Sequence, residues 1–164
     1  MRLALTLAAL AALLAPATAQ AQKNGKAPNG EERVIYVAES DPAMNAAIAE
    51  GRRTLPDFFR HLANPAPGEH GFLIKFDLLP EPGGAEFIWA EVISHSSGVT
   101  IARLANIPVD PRFKLGEKVN VSDADIVDWG YYSGGVMQGN FTTRAMLPRY
   151  SRDEAEQVRR AFNW

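Results

Sequence analysis

Between Met44 and Asn106 the apolar residues change period once, and that change decides what the chain can build. Met44, Ile48, Gly51, Leu55, Phe58 or Phe59, and Leu62 recur at steps of three and four, which is one face of an α-helix. From Phe72 the step becomes two. Phe72, Ile74, Phe76 and Leu78 share one parity; in the next run Phe87, Trp89, Glu91 and Ile93 share one parity, and Ile88, Ala90 and Val92 the other. A helical period followed by strand periods calls for a helix that covers a sheet.

The strand runs are expected at residues 71–79, 86–94 and 99–106, an antiparallel meander whose connections at 80–84 and 96–98 have turn composition. A short strand is expected at 118–121. Residues 126–132 and 136–147 are expected to form a hairpin around Ser133-Gly134-Gly135, with Gly139 as a bulge. Val34 to Val37 is a further β-prone run. Asp41-Pro42 reads as the start of the first helix, and Pro56, with Thr54 available to recap the chain, predicts two helical pieces joined at a bend near 53–56. Ser151-Arg152-Asp153-Glu154 is a capping box, and Ala155, Val158 and Phe162 form the apolar stripe of a last helix. The expected fold class is α+β: an antiparallel sheet of about five to six strands, with a bent N-terminal helix and a C-terminal helix packed on one face.

The start of the chain has the character of an export leader. Arg2 supplies a positive end, residues 3–15 are apolar apart from Thr6, and Ala17-Thr18-Ala19 and Ala19-Gln20-Ala21 are small-x-small cleavage patterns. An apolar run of 13 residues is short of the ~20 that cross a bilayer. Residues 1–21 are therefore expected to be a signal peptide cut after Ala19 or Ala21, residues 22–33 a flexible linker, and residues 34–164 one domain, periplasmic or secreted, with no membrane span after cleavage. Removing Arg2 with the leader leaves 16 basic residues against 19 acidic ones, a balance that argues against nucleic acid as a partner. The 164-residue chain has no cysteine, which rules out disulfides, thiolate catalysis and cysteine-ligated metals.

A series of short motifs carries a resemblance. Thr54-Leu55-x-x-Phe58 is followed by Phe-Leu-Ile-Lys-Phe at 72–76 and by Glu86-x-x-Trp89-x-Glu91. Then come Gly-Glu-Lys-Val-x-Val at 116–121, Ile-Val-Asp-Trp-x-Tyr at 126–131, and Gly139-x-x-x-x-Arg144-x-x-Leu147. In that order they resemble the YegJ-like family, the bacterial domain of unknown function numbered 2314. The resemblance spans roughly residues 40–148. It implies a small exported or lipid-anchored bacterial protein, with no agreed activity; the absence of cysteine separates this chain from lipid-anchored relatives.

Candidate binding residues cluster at 128–144. Alternation puts Trp129 and Tyr131 on one strand face and Asp128 on the other, closed by Gly139 and Arg144. Aromatic faces and a carboxylate could make a ligand platform. The structural alternative is that Trp129 and Tyr131 are core, and that Asp128 pairs with Arg144 on the neighbouring strand or caps a turn; the second reading is preferred. Trp89 and Glu91, on one face of an earlier strand, raise the same choice.

Catalytic and metal signatures are weak. Asp123, Asp125 and Asp128 do not match a calcium loop, because Val127 and Asp128 stand at its fifth and sixth positions. His61, His70 and His95 lack zinc-site spacing, Ser94-His95-Ser96-Ser97 reads as a turn, and there is no G-x-S-x-G elbow. No catalytic residue, metal or cofactor is assigned. The favoured function is an exported, non-catalytic module that binds an unknown protein or envelope ligand. A small carboxylate- or His-dependent hydrolase of the envelope is the alternative, and a toxin-neutralising, immunity-like partner protein is a third. Convergence of Asp128, Arg144, Glu91 and a histidine in one open cleft would favour the enzyme.

Overall fold

The computed structural model describes residues 2–7, 33–38, 41–79 and 85–164. Strands β1 (Arg2–Leu7) and β2 (Arg33–Ala38) are followed by helix α1 (Pro42–Ala63) and by strands β3 (His70–Asp77), β4 (Ala85–Ser96), β5 (Val99–Leu104) and β6 (Lys118–Ser122). Strands β7 (Ile126–Ser133) and β8 (Val136–Gly139) and helices α2 (Phe141–Met146) and α3 (Arg152–Phe162) complete the chain. The expected cleavage positions, nearly all of the expected linker and the turn at 80–84 lie outside the described residues; β1 falls within the expected leader.

Helix α1 begins where Asp41 accepts a hydrogen bond from Met44 N at 2.9 Å, with Pro42 in the first turn. It runs through Pro56 as one helix of 22 residues, so the expected division into two pieces does not occur. Pro56 is exposed, and its missing N–H costs the helix one internal hydrogen bond without ending it. Buried Leu55 and Phe58 on either side hold the helix against the sheet. Gly51 lets α1 approach β7: a Cβ there would lie 2.6 Å from Val127 O.

Strands β3 to β8 form six antiparallel strands in the order β6-β5-β4-β3-β7-β8. Strand β4 is long enough to take two neighbours on one edge: residues 85–87 pair parallel with β1, which pairs in turn with β2, and residues 90–96 pair with β5. The α+β class and the sheet of about six strands match the expectation. The helices, however, divide between the two faces. Ile74, Ile88 and Ala90 pack with Leu55 and Phe58 of α1, whereas Leu73 and Trp89, one residue out of phase, pack with Met137 and with Val158 and Phe162 of α3. The capping box of α3 forms as expected, with Ser151 and Glu154 bonding each other's backbone N–H.

The last hairpin differs from the sequence reading in its second arm. Gly134 and Gly135, at φ +57° and +78°, make its two-residue turn. Residues 136–147, expected as one strand, pair with β7 only as far as Gly139; Gly139 and Asn140 then turn through positive φ and α2 begins. Thr142 and Thr143 are β-prone by type, but the first N–H groups of α2 find an acceptor on β7, and that contact decides the conformation.

Candidate functional site

The acceptor is Asp128. It is fully buried on β7, directly opposite Lys75 of β3. Its Oδ1 accepts from Trp129 N at 2.8 Å and Phe141 N at 3.1 Å; its Oδ2 accepts from Thr142 N at 2.7 Å and from the Thr142 hydroxyl at 2.6 Å. The carboxylate thus caps α2 from a different element, and no side chain of residue 140 does so. Lys75, 2 % exposed, donates to Thr142 Oγ1 at 3.2 Å and lies 5.4 Å from the centre of the Trp89 ring. Burial pushes the Lys75 ammonium down to about 8, with the Asp128 charge working the other way. Burial raises the Asp128 carboxyl, against the bonds from Thr142, the Lys75 charge and the Trp129 N–H.

Asp128 and Arg144 are therefore not the cross-strand pair expected from the hairpin. Arg144 sits on α2 and closes the free edge of β8. Its Nε donates to Gly139 O and its Nη2 to Met137 O, both at 3.0 Å, and its guanidinium stacks 3.8 Å from the Trp164 ring. Trp164 Nε1 also donates to Met137 O at 2.9 Å, and Asn163 Nδ2 donates to Gly135 O at 2.7 Å. Side-chain donors thus occupy the carbonyls that an edge strand would otherwise offer to another strand.

Trp129 and Tyr131 belong to the core under α1. Trp129 stacks on Phe58 and donates through Nε1 to Gly51 O and Thr54 Oγ1, both at 3.1 Å. Gly139 is dictated by Trp129: besides its φ of +66°, a Cβ there would come within 2.4 Å of Trp129 O. Trp89 is core on the α3 face, and Glu91, two residues on, is exposed opposite Arg103.

One open cleft of about 390 Å³ lies between α1 and the β7–β8–α2 corner. Its floor is aromatic: Phe58, Trp129, Tyr131 and Phe141. Asp57 and His61, one helical turn apart, come from the α1 side, while Gln138, Gly139 and Arg144 come from the other. The cleft collects Trp129, Tyr131, Gly139 and Arg144 of the sequence candidates; Asp128, Trp89 and Glu91 are not among its lining residues.

His61 is held in a defined orientation. Its ring stacks on Tyr131 with centroids 5.1 Å apart, and Nδ1 lies 3.0 Å from Glu69 Oε1. The Glu69 side chain is 4 % exposed and also accepts from Ala66 N at 2.9 Å. That backbone bond, and then the bond to His61, hold the Glu69 carboxyl below its ordinary value. An ionised carboxylate has no proton to give, so Nδ1 is the donor to Glu69 and Nε2 is the ring nitrogen left for another partner. The neighbouring charges show in Tyr131, whose phenol is raised by burial and then by Glu69 and Asp57.

Sequence reasoning missed Lys75, Thr142, Glu69 and the placing of Asp57 and His61 together on one rim of the cleft. Asp57-x-x-x-His61 at one-turn spacing on a helix was legible. Lys75 was not, because a lysine between Ile74 and Phe76 reads as a solvent-facing strand position. The other histidines are engaged elsewhere: His95 bonds Asp123 and stacks on Phe59, and His70 stacks on Tyr132. Among the described residues, no three His, Asp or Glu side chains gather in a way that could hold a metal ion.

The model of the family described as "Uncharacterized protein conserved in bacteria (DUF2314)" matches residues 41–163, the segment from the cap of α1 to the end of α3. The chain is also 27 % identical over 118 residues to "Uncharacterized protein YegJ" of Escherichia coli (strain K12), an alignment that covers 71 % of this chain and 75 % of that protein. No solved structure matches the chain. The family match takes in the helices, strands β3 to β8 and all the residues of the cleft, so this chain belongs to the DUF2314 family.

Proposed function

We propose that the protein is an exported, non-catalytic binding module, and that the cleft between α1 and the β7–β8–α2 corner receives its ligand. Residues 1–21 support export through their positive start, apolar run and small-residue cleavage pattern. A cut after Ala19 or Ala21 would remove β1 and leave β3 to β8 whole. The single observation that carries binding is the cleft itself, where oriented polar groups rim an aromatic floor. No helix among the described residues is long and apolar enough to cross a membrane.

A hydrolase reading retains one supporting observation, the orientation of His61 by Glu69, which is how a general base is commonly held. The carboxylates it would have recruited are placed otherwise: Asp128 is sealed as a helix cap and Glu91 faces outward from β4. The Thr54 hydroxyl, which lines the cleft, donates to Glu50 O at 2.7 Å and accepts from Trp129.

The test uses the full-length chain expressed in a bacterium with a periplasm. Mass spectrometry of the periplasmic fraction should find a mature chain starting at Gln20 or Gln22. The purified mature protein should then show a raised melting temperature in the small-molecule fraction of periplasmic extract, and Gln138→Trp, which fills the cleft, should not. A protein retained in the cytoplasm with its leader intact would end the export reading, and an equal shift in the filled variant would end the cleft reading.

A further inference from the structure

The carboxylate and the imidazole of the cleft stand on one side and its guanidinium on the other, with the amide of Gln138 beside the guanidinium, and this division of charge points to a class of ligand. On the α1 side stand two acceptors. Asp57 is a carboxylate held below its ordinary value by Arg60, with which it is paired. His61 has its Nδ1 proton committed to Glu69, and Nε2, which has no partner among the described residues, carries the lone pair whenever the ring is neutral. On the opposite side stands a donor. Arg144 uses Nε and Nη2 to hold β8, and its Nη1 has no hydrogen-bond partner among the described residues. Between the two sides lies the apolar floor of Phe58, Tyr131 and Phe141.

A ligand that matches this arrangement has a cationic, donor-rich end for Asp57 and His61, an anionic end for Arg144, and an apolar body between them. We propose that the cleft binds a small zwitterion of the α-amino-acid class, a free amino acid or short peptide with its own termini, with the ammonium on Asp57 and His61 and the carboxylate on Arg144. A cleft of about 390 Å³ is within the size range of small-molecule sites. Glu69 is a positioning residue: it touches no ligand but fixes the tautomer that makes His61 an acceptor. A simple anion would meet repulsion from Asp57, and a simple cation repulsion from Arg144. This inference rests on the cleft being the binding site.

The experiment is calorimetric titration of the mature protein with L-leucine, L-phenylalanine and the dipeptide Ala-Phe, each compared with its N-acetyl and its C-terminal amide derivative, and with maltose as a neutral polar control. The free zwitterions should bind, and acetylation or amidation should each weaken binding by about ten- to a hundredfold, as expected when a charged hydrogen bond is lost. In His61→Gln and Asp57→Asn, both at partly or fully exposed positions, the free amine should lose its advantage over the acetylated form while the amide remains disfavoured. Glu69→Gln, which leaves the His61 tautomer free, should reduce the same discrimination without removing a ligand contact. Equal binding of free and blocked forms, binding of maltose alone, or no binding of any zwitterion would each overturn the proposal. The cleft reading survives those results if periplasmic extract still stabilises the wild type and not Gln138→Trp, so the two can fail separately.

Discussion

Lys75 and Asp128 face each other across the β3–β7 ladder, and the hydroxyl of Thr142 joins them, accepting from Lys75 Nζ and donating to Asp128 Oδ2. The arrangement ties three elements together at one buried point. A carboxylate that neutralises a buried lysine and caps a helix at once cannot be exchanged for its amide without loss.

Asp128→Asn should therefore destabilise the fold by roughly 3 kcal/mol, a fall in melting temperature on the order of 10 °C for a domain of this size. Double-mutant cycles assign the partner. Coupling between Asp128→Asn and Thr142→Val is expected at about 1–2 kcal/mol, and between Asp128→Asn and Arg144→Gln within ~0.5 kcal/mol of zero. A large coupling to Arg144 would restore the cross-strand pair that the hairpin pattern suggested.

The depressed Lys75 ammonium makes a prediction for alkaline pH. Its value is about 8 in the folded chain against an ordinary 10.5, so across that interval the unfolded chain binds more protons and stability rises with pH. Denaturant unfolding of wild type and Lys75→Met at several pH values isolates the effect. The difference in unfolding free energy should move in favour of the wild type from about pH 8 to 10.5, and a constant difference would show that Lys75 titrates alike in both states.

Two glycines of the last hairpin should respond differently to the same substitution. Gly134 has φ +57° and open space around its Cβ position, so Gly134→Asn, a residue suited to this turn, should change stability by less than about 1 kcal/mol. Gly139 has φ +66° and Trp129 within 2.6 Å of its Cβ position. Gly139→Asn should cost on the order of 2–4 kcal/mol, because tolerance of positive φ does not remove a collision with backbone. Equal effects at the two sites in chemical denaturation would refute the close approach.

Arg144 is expected to act on the sheet edge. Arg144→Gln takes the side-chain donor from the Gly139 carbonyl, leaves the Met137 carbonyl to Trp164 Nε1 alone, and removes the stack on Trp164. A loss of about 1–2 kcal/mol is expected, with greater protection lost in β8 than in β5 by amide hydrogen exchange. Uniform loss across the sheet would argue against a local role.

The sequence by itself determined the class of the fold. Period three-to-four at 44–62, period two from Phe72, and the Gly134-Gly135 turn are local signals, and each reports on backbone geometry within a few residues. The Ser151–Glu154 cap was legible for the same reason. The tertiary structure decided what depends on residues far apart. Lys75 was unreadable because its surroundings come from Trp89, Asp128 and Thr142, and residues 141–146 became helical because a carboxylate 13 positions earlier reaches their N–H groups. Which face each helix covers followed from packing around Leu73 and Ile74, which alternation alone leaves undecided. The cleft joins Asp57 and His61 to Arg144 across more than eighty residues, and its chemistry depends on a tautomer set by Glu69. Local periodicity carries element type, whereas the environment of a polar side chain is a property of the folded whole.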